Sequence, residues 1–400
     1  MAKIITDLNK IKDLLSRGVE DVFVRDHLAG RLKKGDKLRV KLGIDPTGPK
    51  LHLGRAITLW KLRAFQDLGH QVVLVIGDFT TLVGDPSDKL AKRPMLNQEQ
   101  IKSNMSHYKE QVGKILDLSR VEWCYNSSWL SKLSFLDAAQ LAESFSLQQM
   151  VARRNFKDRW DKKIEISMRE LMYPLMQGYD SVAIKADVEL GGFDQLFNLM
   201  AGRKIQEYYK QPAQDILITQ MLEGTDGRKM STSWGNVVNI VDEPGEMYGK
   251  LMALRDEYIP KYLLLTTRLP ILEVNNFVKE LKGGANPKVI KSILAKEVVE
   301  LYYSKTEAQK AEMEFEKIHK QGGLPEEIKE SPLPKGKKVL LVVDLLIYLG
   351  LSKSKSEARR LVEQKGVKVA GQVVDNWQAE IVLKKGLVVQ VGSRRFAKFK

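Results

Sequence analysis

The fold is decided by two short stretches, Arg39-Val40-Lys41-Leu42-Gly43-Ile44 and Leu51-His52-Leu53-Gly54, which are joined by a turn rich in Pro and Gly. The first stretch predicts a strand, and the second opens a helix whose apolar residues keep helical spacing to about residue 68. The apolar run 71–76 then predicts a buried parallel strand. Strand, turn, helix and strand make a βαβ unit, which begins a doubly wound α/β sheet.

The middle of the chain changes from strand to helix patterns. A strand predicted over 215–222 precedes a polar loop that runs to residue 233. The segment 246–319 is helical in pattern and strongly charged. Residues 321–337 are rich in Gly and Pro, which is typical of a linker.

The C-terminal part is small and basic. A capping box, Ser354-Lys355-Ser356-Glu357, predicts a helix to residue 365. Short apolar runs predict strands at 367–369, 381–383 and 387–391. Residues 338–400 hold 13 Lys and Arg against 5 Asp and Glu, about half of the net charge of +15 of the whole chain. This excess favours a polyanionic partner such as nucleic acid.

The composition of the 400 residues excludes several classes of protein. With 43% apolar and 29% charged residues, the chain is typical of globular rather than disordered proteins. We expect no membrane span and no secretion signal, because apolar runs are short and the first residues are charged. One cysteine, Cys124, excludes a disulfide framework and fits a reducing cytoplasm. The five histidines are scattered, so we expect no bound structural metal.

Two motifs suit a nucleotide. His52 and Gly54 stand where the predicted helix begins, and free N–H groups and the helix dipole favour phosphate there. The second motif, Gly227-Arg228-Lys229-Met230-Ser231-Thr232-Ser233, is a loop that carries cations and hydroxyls. Taken singly, each motif has an ordinary structural explanation: a histidine that packs before a helix, or a solvated surface loop.

Taken together, the two motifs resemble the HxGH and KMSKS signatures of the class I aminoacyl-tRNA synthetases. Further segments resemble the bacterial tyrosyl-tRNA synthetases, and the resemblance extends over almost the whole chain. These segments are Lys41-Leu42-Gly43-Ile44-Asp45-Pro46-Thr47, Val75-Ile76-Gly77-Asp78-Phe79-Thr80, Gly84-Asp85-Pro86-Ser87, Tyr173-Pro174, Gln177-Gly178-Tyr179-Asp180-Ser181 and Gly191-Gly192-Phe193-Asp194-Gln195.

The resemblance implies three domains. They are a Rossmann-like doubly wound parallel sheet (α/β) that forms the catalytic domain over 1–240, a helical anticodon-binding domain over 241–320 and, after the linker 321–337, a small α+β RNA-binding domain over 338–400. The last is of the type first described in ribosomal small-subunit protein four. The resemblance also implies a cytoplasmic homodimer that joins L-tyrosine to its tRNA, with ATP as a substrate and Mg²⁺ accompanying it.

The predicted tyrosine site is centred on one helix. Tyr173, Gln177 and Asp180 are four and three residues apart, so they share a helix face, although Pro174 is expected to kink the helix. Burying such a face is costly unless a polar ligand meets it. By resemblance, Asp180 accepts a hydrogen bond from the substrate phenol, and Tyr173, Gln177 and Asp85 hold the ammonium group. The same resemblance places four further residues at the amino acid: Gln195, Thr80, Asn126 and Asp45.

Other residues are assigned by resemblance to ATP, to catalysis and to RNA. The ATP residues are His52, Gly54, Gly192, Asp194, Lys229, Met230 and Ser231. The catalytic positions are His52, Arg55, Lys229, Thr232, Lys89 and Arg93, of which the last two lie near the pyrophosphate. The RNA-binding residues are Lys353, Lys355, Arg359, Arg360, Lys365 and Lys368. Cations spaced in this way suit a phosphate backbone and carry little sequence readout.

Four positions depart from the family pattern. Arg55 replaces the last His of HxGH, Thr232 replaces the second Lys of KMSKS, and Asp88 replaces the glycine after Asp-Pro-Ser. Lys41 stands where many tyrosyl enzymes have tyrosine and one bacterial subtype has lysine. Two alternatives stay open: a tryptophanyl-tRNA synthetase, and a catalytically impaired paralogue that binds RNA through its tail. The tyrosine-site residues and the basic tail argue against the first alternative, and the first three departures favour the second.

Overall fold

The computed structural model describes residues 3–86, 96–230, 234–321, 328–334, 336, 338–392 and 395–400. The chain divides into two compact units. The first comprises Met1–Asp242 and Leu254–Ile290, and the second comprises Glu243–Ala253 and Lys291–Lys400. Among the described residues, no helix is both long enough and apolar enough to span a membrane.

The helices of the described residues are short to medium in length. They are α1 (Leu8–Ser16), α2 (Arg25–Lys34), α3 (Leu53–Asp67), α4 (Thr80–Val83), α5 (Gln98–Met105), α6 (Tyr108–Gly113), α7 (Ser127–Leu130), α8 (Phe135–Ala142), α9 (Leu147–Val151), α10 (Arg154–Asp161), α11 (Met168–Ile184), α12 (Leu196–Tyr208), α13 (Pro244–Met252), α14 (Ile259–Thr266), α15 (Ile271–Lys282), α16 (Pro287–Tyr302), α17 (Lys305–Gln321), α18 (Val342–Tyr348) and α19 (Lys355–Glu363).

The strands form one sheet in the first unit and two in the second. They are β1 (Val19–Phe23), β2 (Arg39–Ile44), β3 (Gln71–Ile76), β4 (Val121–Tyr125), β5 (Val188–Gly192), β6 (Asp215–Thr219), β7 (Lys329–Ser331), β8 (Val339–Leu341), β9 (Val367–Val369), β10 (Gln372–Val374), β11 (Glu380–Val382), β12 (Val388–Val391) and β13 (Arg395–Phe399).

The first unit is built on a six-stranded sheet in the order β1-β6-β5-β2-β3-β4. Neighbouring strands are parallel except β1, which runs antiparallel to β6. Strands β2 and β3 pair in register from Arg39 and Gln71 to Ile44 and Ile76, with α3 between them along the chain. The predicted βαβ unit and the doubly wound parallel sheet are therefore confirmed. The strand order reverses at β2, and ligands of such sheets bind at the carboxyl ends of the strands beside that point.

Helix α11 carries the predicted tyrosine-binding face and is fixed at both ends. Ser167 and Glu170 form a capping box at its first turn. Glu170 also accepts two hydrogen bonds from the buried guanidinium of Arg159, at 2.9 and 3.0 Å. Lys185, in the left-handed conformation with φ of 53°, ends the helix, and Pro174 lies within it. The pair of buried charges thus holds the first turn of the helix that lines the site.

The second unit contains α13 and α17, most of α16, and a small α+β part. Among the helices, Tyr248 donates a hydrogen bond of 2.9 Å to Ser292, which in turn donates one of 2.7 Å to Glu312. The α+β part has a five-stranded sheet in the order β10-β9-β12-β13-β7 and a two-stranded sheet β11-β8. Apolar residues of α18, α19, β9, β12 and β13 form its core, which confirms the predicted small α+β fold.

The structure differs from the sequence predictions at several boundaries. Strand β6 ends at Thr219, three residues earlier than predicted. Strand β7 lies within the predicted linker and pairs in parallel with β13. Residues 254–290, which were predicted to belong to the anticodon-binding domain, group with the first unit. The assignment of one function to each domain stays a prediction.

The start of α19 also differs from its prediction. The Ser354 hydroxyl accepts a hydrogen bond from the Glu357 N–H, as in a capping box. The Glu357 carboxylate, however, accepts from the N–H of Lys353 at 2.9 Å rather than from that of Ser354. Only half of the predicted box is therefore formed, because the carboxylate bonds the N–H of the residue that precedes the N-cap.

Candidate active site

A cavity of about 290 Å³ lies in the first unit, at the carboxyl ends of β2, β3, β5 and β6. It is lined by every predicted site residue of the first 240 that the structure describes. These residues are Asp45, His52, Gly54, Arg55, Thr80, Asp85, Asn126, Tyr173, Gln177, Asp180, Gly192, Asp194, Gln195, Lys229 and Met230. Residues that are distant in sequence thus meet at the position where doubly wound sheets bind ligands.

Some predicted residues lie outside the described part of the chain. They are Lys89, Arg93, Ser231 and Thr232, together with the departing position Asp88.

One end of the cavity holds a buried acceptor. Asp180, only 4% exposed, accepts hydrogen bonds from Trp129 Nε1 at 2.8 Å and from Asn126 Nδ2 at 3.3 Å. Burial raises the pKa of Asp180 to about 7, although the charge of Lys41 and these two donors act to lower it. A carboxylate held in this way can accept a further hydrogen bond from a ligand hydroxyl.

Beside Asp180, α11 presents two more polar groups. The Tyr173 hydroxyl donates to Asp45 Oδ2 at 2.9 Å, and Thr80 Oγ1 donates to the other oxygen of Asp45 at 2.8 Å. Burial raises the pKa of Asp45 to about 6. Gln177 donates its side-chain amide to Glu189 at 3.2 Å. Because Tyr173 uses its proton on Asp45, its oxygen remains an acceptor for a ligand cation.

Acidic and amide groups line the cavity next to β5. Gln195 Nε2 donates to Asp85 Oδ2 at 2.8 Å, and Asn198 Nδ2 donates to the Gln195 side-chain oxygen at 3.0 Å. Asp194 lies 3.8 Å from the ammonium of Lys229. The last contact brings the loop 227–230 next to the residues that follow Gly191-Gly192.

The start of α3 forms the other part of the cavity. His52 is its N-cap residue, and burial, with the positive charge of Arg55, lowers the pKa of His52 to about 3. The imidazole is therefore neutral at physiological pH, and its Nδ1 is buried with no hydrogen-bond partner among the described residues. A Cβ at Gly54 would stand 3.1 Å from that Nδ1 and 3.2 Å from the Met230 sulfur, so a larger residue would crowd the turn.

Arg55 is tied to the turn before α3. Its guanidinium donates to the Asp45 carbonyl at 3.1 Å, to Thr47 Oγ1 at 2.8 Å and to the Tyr108 hydroxyl at 3.4 Å. It lines the cavity while bracing the loop that joins β2 to α3. A histidine in its place could not reach all three acceptors at once, since Arg has five donors in a long fork.

The loop that leads to Lys229 is fixed by short contacts. Asp226 accepts hydrogen bonds from Asn236 at 2.8 Å and from the Arg228 guanidinium at 2.6 and 2.8 Å. These contacts lower the pKa of Asp226 to about 2, with that from Asn236 acting most strongly. Gly227 has φ of 84°, and a Cβ there would stand 2.6 Å from the Tyr258 hydroxyl. The loop therefore needs glycine at this position.

Sequence analysis missed several groups around the cavity. Lys41 and Glu189 form a buried ion pair beneath it, and Trp129 donates to Asp180. Arg153 is nine-tenths buried against Phe197, and burial lowers its pKa while the charges of Asp85 and Asp194 act to raise it. The single available signal was the unusual lysine at position 41, since the other groups are brought in by long-range packing.

The six predicted RNA-binding residues are all exposed. Lys355 pairs with Asp344 at 2.8 Å, and Arg359 pairs with Glu363 at 2.7 Å and covers the ring of Trp377 at 4.6 Å. The other four residues, Lys353, Arg360, Lys365 and Lys368, have no ion pair within 4 Å among the described residues. Among the described residues, the surface thus offers four cations outside any ion pair and two within one.

Among the described residues, no group of three or more His, Cys, Asp or Glu side chains is placed to hold an ion.

Comparison with protein families gives two matches. The family model described as tRNA synthetases class I (W and Y) matches residues 33–320, and that of the S4 domain matches residues 343–377. Among curated proteins, the tyrosine–tRNA ligase of Thermotoga maritima is 44% identical over 385 residues, which cover 96% of this chain and 95% of that protein. That of Dehalococcoides mccartyi is 42% identical over 392 residues, 98% of each.

Solved structures agree in fold. The truncated mitochondrial tyrosyl-tRNA synthetase of Aspergillus nidulans has a TM-score of 0.64 and 24% identity, and the match covers 78% of this chain and 94% of that one. The tyrosyl-tRNA synthetase of Archaeoglobus fulgidus, solved in complex with L-tyrosine, has a TM-score of 0.62 and 22% identity, with 76% and 100% covered.

Proposed function

Because the chain belongs to the class I tRNA synthetases and, within them, to the tyrosine–tRNA ligase family, we propose that it joins tyrosine to tRNA in two steps. The tyrosine carboxylate attacks the α-phosphate of ATP, so that an acyl phosphate bond forms and pyrophosphate leaves. A ribose hydroxyl at the end of the tRNA then attacks the activated carbonyl, which forms the ester and releases AMP. The protein contributes positioning and charge rather than covalent chemistry.

The observation that carries the proposal is that one cavity holds both the buried carboxylate of Asp180 and the N-terminus of α3, which is suited to bind phosphate. Asp180 accepts the phenol hydrogen bond, while Trp129 and Asn126 hold its two oxygens. Without such an acceptor, a buried phenol hydroxyl would lose its hydrogen bond to water. Tryptophan carries an indole N–H in another position and has no hydroxyl for this carboxylate.

The ammonium group of tyrosine is assigned to the acceptors beside Asp180. Tyr173 offers its oxygen, Gln177 its side-chain carbonyl and Asp85 its carboxylate. Gln195 takes the carboxyl group of the amino acid. A cation surrounded by three acceptors is fixed in direction, and this directs the carboxylate of the substrate toward ATP.

The ATP phosphates are assigned to the start of α3 and to the loop of Lys229. Neutral His52 donates a hydrogen bond, and Gly54 admits the nucleotide close to the backbone. Lys229 supplies positive charge where the pyrophosphate develops, and Asp194 holds the ribose. Mg²⁺ enters as the counter-ion of ATP rather than as a resident of the protein. Arg55 acts chiefly by holding the turn and adds positive charge to the site.

The second substrate, tRNA, is assigned to the basic tail. The four exposed cations that form no ion pair with the described residues would lie along the phosphate backbone, and the acylation chemistry would take place in the first unit. Since the S4 domain model matches the centre of this tail, a role in RNA binding follows from its family as well as from its charge.

We further propose that the protein is a homodimer. Exposed apolar side chains are concentrated on α8 to α11 of the first unit, namely Phe135, Leu136, Leu147, Trp160 and Met168. Large exposed apolar residues in one region are typical of a contact surface. Sedimentation equilibrium tests this assignment, and a monomer at micromolar concentration would contradict it.

The compartment is assigned to the cytoplasm. A chain with one cysteine is suited to a reducing environment, and the tRNA substrate is present there. Fractionation of cells with an antibody to the protein tests this, and recovery outside the cytoplasm would contradict it.

ATP–pyrophosphate exchange tests the proposed function directly. We expect exchange that depends on tyrosine, with no signal for tryptophan or in the absence of an amino acid. Exchange with tryptophan instead would identify the tryptophanyl alternative. Absence of exchange, together with retained tRNA binding, would favour the catalytically impaired paralogue.

A further inference from the structure

A fully buried ion pair lies beneath the proposed tyrosine site. Lys41 of β2 and Glu189 of β5 are directly opposite in the register of these neighbouring parallel strands. The side chains of both are 0% exposed, and Lys41 Nζ lies 2.9 Å from Glu189 Oε1. A buried pair of this kind contributes little net stability, because desolvation of the two charges offsets their attraction. We therefore expect the Lys41–Glu189 pair to have a role other than stabilising the fold.

Among the described residues, the side-chain hydrogen bonds of Lys41 beyond Glu189 are made to α11. Its ammonium donates to the Gln177 carbonyl at 2.9 Å and to the Ser181 hydroxyl at 2.8 Å. With Glu189, these acceptors use all three N–H groups of the lysine. The lysine thus holds the helical turn that presents both Gln177 and Asp180 to the cavity.

Glu189 completes the network from the opposite side. Its Oε1 accepts the Gln177 side-chain amide at 3.2 Å, and its Oε2 accepts the Ser181 hydroxyl at 3.1 Å and the Gln214 amide. A carboxylate can only accept, so it fixes the Gln177 amide with the nitrogen toward the sheet. The side-chain oxygen of Gln177 is then left to accept a hydrogen bond from a ligand.

The pair also acts on Asp180 through its charge. The titratable groups that face Asp180 are Lys41 of β2, Glu189 of β5, Cys124 of β4 and Tyr173 of α11. The ammonium of Lys41 acts to lower the pKa of Asp180, and the carboxylate of Glu189 acts to raise it. Removing either charge should therefore move the titration of Asp180, in opposite directions.

We propose that Lys41 and Glu189 are a positioning pair that orients the Gln177 amide and sets the charge of Asp180. The site would then select a substrate that carries an ammonium group and a phenol hydroxyl at a fixed separation. This inference rests on the proposed tyrosine site. Neither residue contacts the substrate, since both lie behind the residues that do.

The test uses the full-length protein and three variants. Lys41→Met removes the positive charge with a side chain of similar length, and Glu189→Gln removes the negative charge with an isostere. The double variant Lys41→Met/Glu189→Leu replaces the pair by apolar groups of similar volume. Buried sites tolerate such a replacement, whereas one unpaired buried charge destabilises the fold. The matched control is Glu122→Gln, which breaks the half-exposed pair of Glu122 with Arg39 in the same sheet.

The measurements are KM for tyrosine and for ATP in pyrophosphate exchange, across a range of pH. All three variants should raise KM for tyrosine by roughly 10- to 100-fold, because each removes or weakens a hydrogen bond that holds the α11 turn or the Gln177 amide, and should change KM for ATP little. Lys41→Met should move the acidic limb of kcat/KM for tyrosine to higher pH by about one unit, and Glu189→Gln should move it to lower pH. A purely structural role would not produce opposite shifts.

The outcomes separate this inference from the proposed function. If the wild type shows no tyrosine-dependent exchange, the proposed function is wrong, and this inference is wrong as well because it rests on that function. A second outcome is an active wild type together with a double variant that keeps its KM for tyrosine within about twofold of the wild type and the acidic limb of its profile at the same pH. In that case the pair is only structural, and the proposed function stands. Shifts of the same size in Glu122→Gln would equally overturn the inference, because they would show a general response to lost charge.

Discussion

The cavity in the first unit and the basic tail in the second both depend on charged residues, but they keep them in opposite environments. Lys41, Glu189 and Asp180 are at most 4% exposed and have protein partners for their polar groups. Arg360 and Lys365 are exposed and have no ion pair among the described residues. Desolvated charges act over short distances and shift pKa values, whereas exposed charges act over a Debye length and respond to salt. The cavity should therefore respond to pH and the tail to salt.

The largest expected effect is the discrimination between tyrosine and phenylalanine. Phenylalanine would leave the buried Asp180 with only its two protein donors, and the lost hydrogen bond to the ligand is costly in a desolvated site. We expect kcat/KM in pyrophosphate exchange to be on the order of 10⁴- to 10⁵-fold higher for tyrosine, the discrimination known for the tyrosyl-tRNA synthetases themselves.

Asp180→Ala provides the control for this prediction. It should reduce tyrosine activation strongly while leaving KM for ATP nearly unchanged, because Asp180 lies at the end of the site assigned to the phenol. Comparable use of tyrosine and phenylalanine by the wild type would show that this carboxylate does not read the hydroxyl.

The next effect concerns His52, the group at the phosphate end of the cavity. His52→Ala should slow formation of tyrosyl-adenylate by about 10²- to 10³-fold, as expected when one preorganised donor is lost, without weakening tyrosine binding. Its pKa of about 3 also predicts that the imidazole does not titrate at working pH. Rapid-quench measurement of the adenylate decides this, with the exposed His107→Ala as control. Equal rates in wild type and His52→Ala would remove histidine from the chemistry.

A third effect follows from the pKa of about 7 that burial gives Asp180. Protonation removes the charge that makes Asp180 a strong acceptor for the phenol, so kcat/KM for tyrosine should be full above this pKa and fall by up to about tenfold per pH unit below it. Protonation of Asp45, with its pKa of about 6, should steepen the fall. Exchange should be measured from about pH 5 to about pH 8 at two salt concentrations. A flat profile, or one that moves strongly with salt, would contradict the desolvated character of the cavity.

The comparison also explains which features could be predicted from the sequence. The βαβ unit was predicted because its periodicity is local, and the face of α11 was predicted because residues three and four apart always meet on a helix. Exposure of the tail cations follows from a capped helix with basic residues on its polar side. These features need no knowledge of strand order.

The remaining features depend on contacts between distant parts of the chain. The ion pair of Lys41 with Glu189 requires the register of β2 with β5, and the Trp129 contact requires α7 to pack beside α11. Strand β7 was missed because a three-residue edge strand in a Pro- and Gly-rich segment has the composition of a linker. Arg55 was predicted as a catalytic position, and its hydrogen bonds to the turn became visible only with the positions of Thr47 and Tyr108.

The smallest effect concerns single cations of the tail. Arg360→Ala and Lys365→Ala should each weaken tRNA binding and reduce the slope of log K against log salt by about 1, because each removes one phosphate contact. Arg359→Ala should change the slope less, since Glu363 already neutralises this guanidinium at 2.7 Å. Filter binding over a salt series measures the slopes, and tyrosine-dependent exchange should be unchanged in all variants. Lys384→Ala, an exposed cation outside the predicted surface, is the matched control. If Lys384→Ala lowers the slope as much as Arg360→Ala does, the tail attracts RNA through its net charge alone. If only the predicted positions respond, the tail binds RNA as a defined surface.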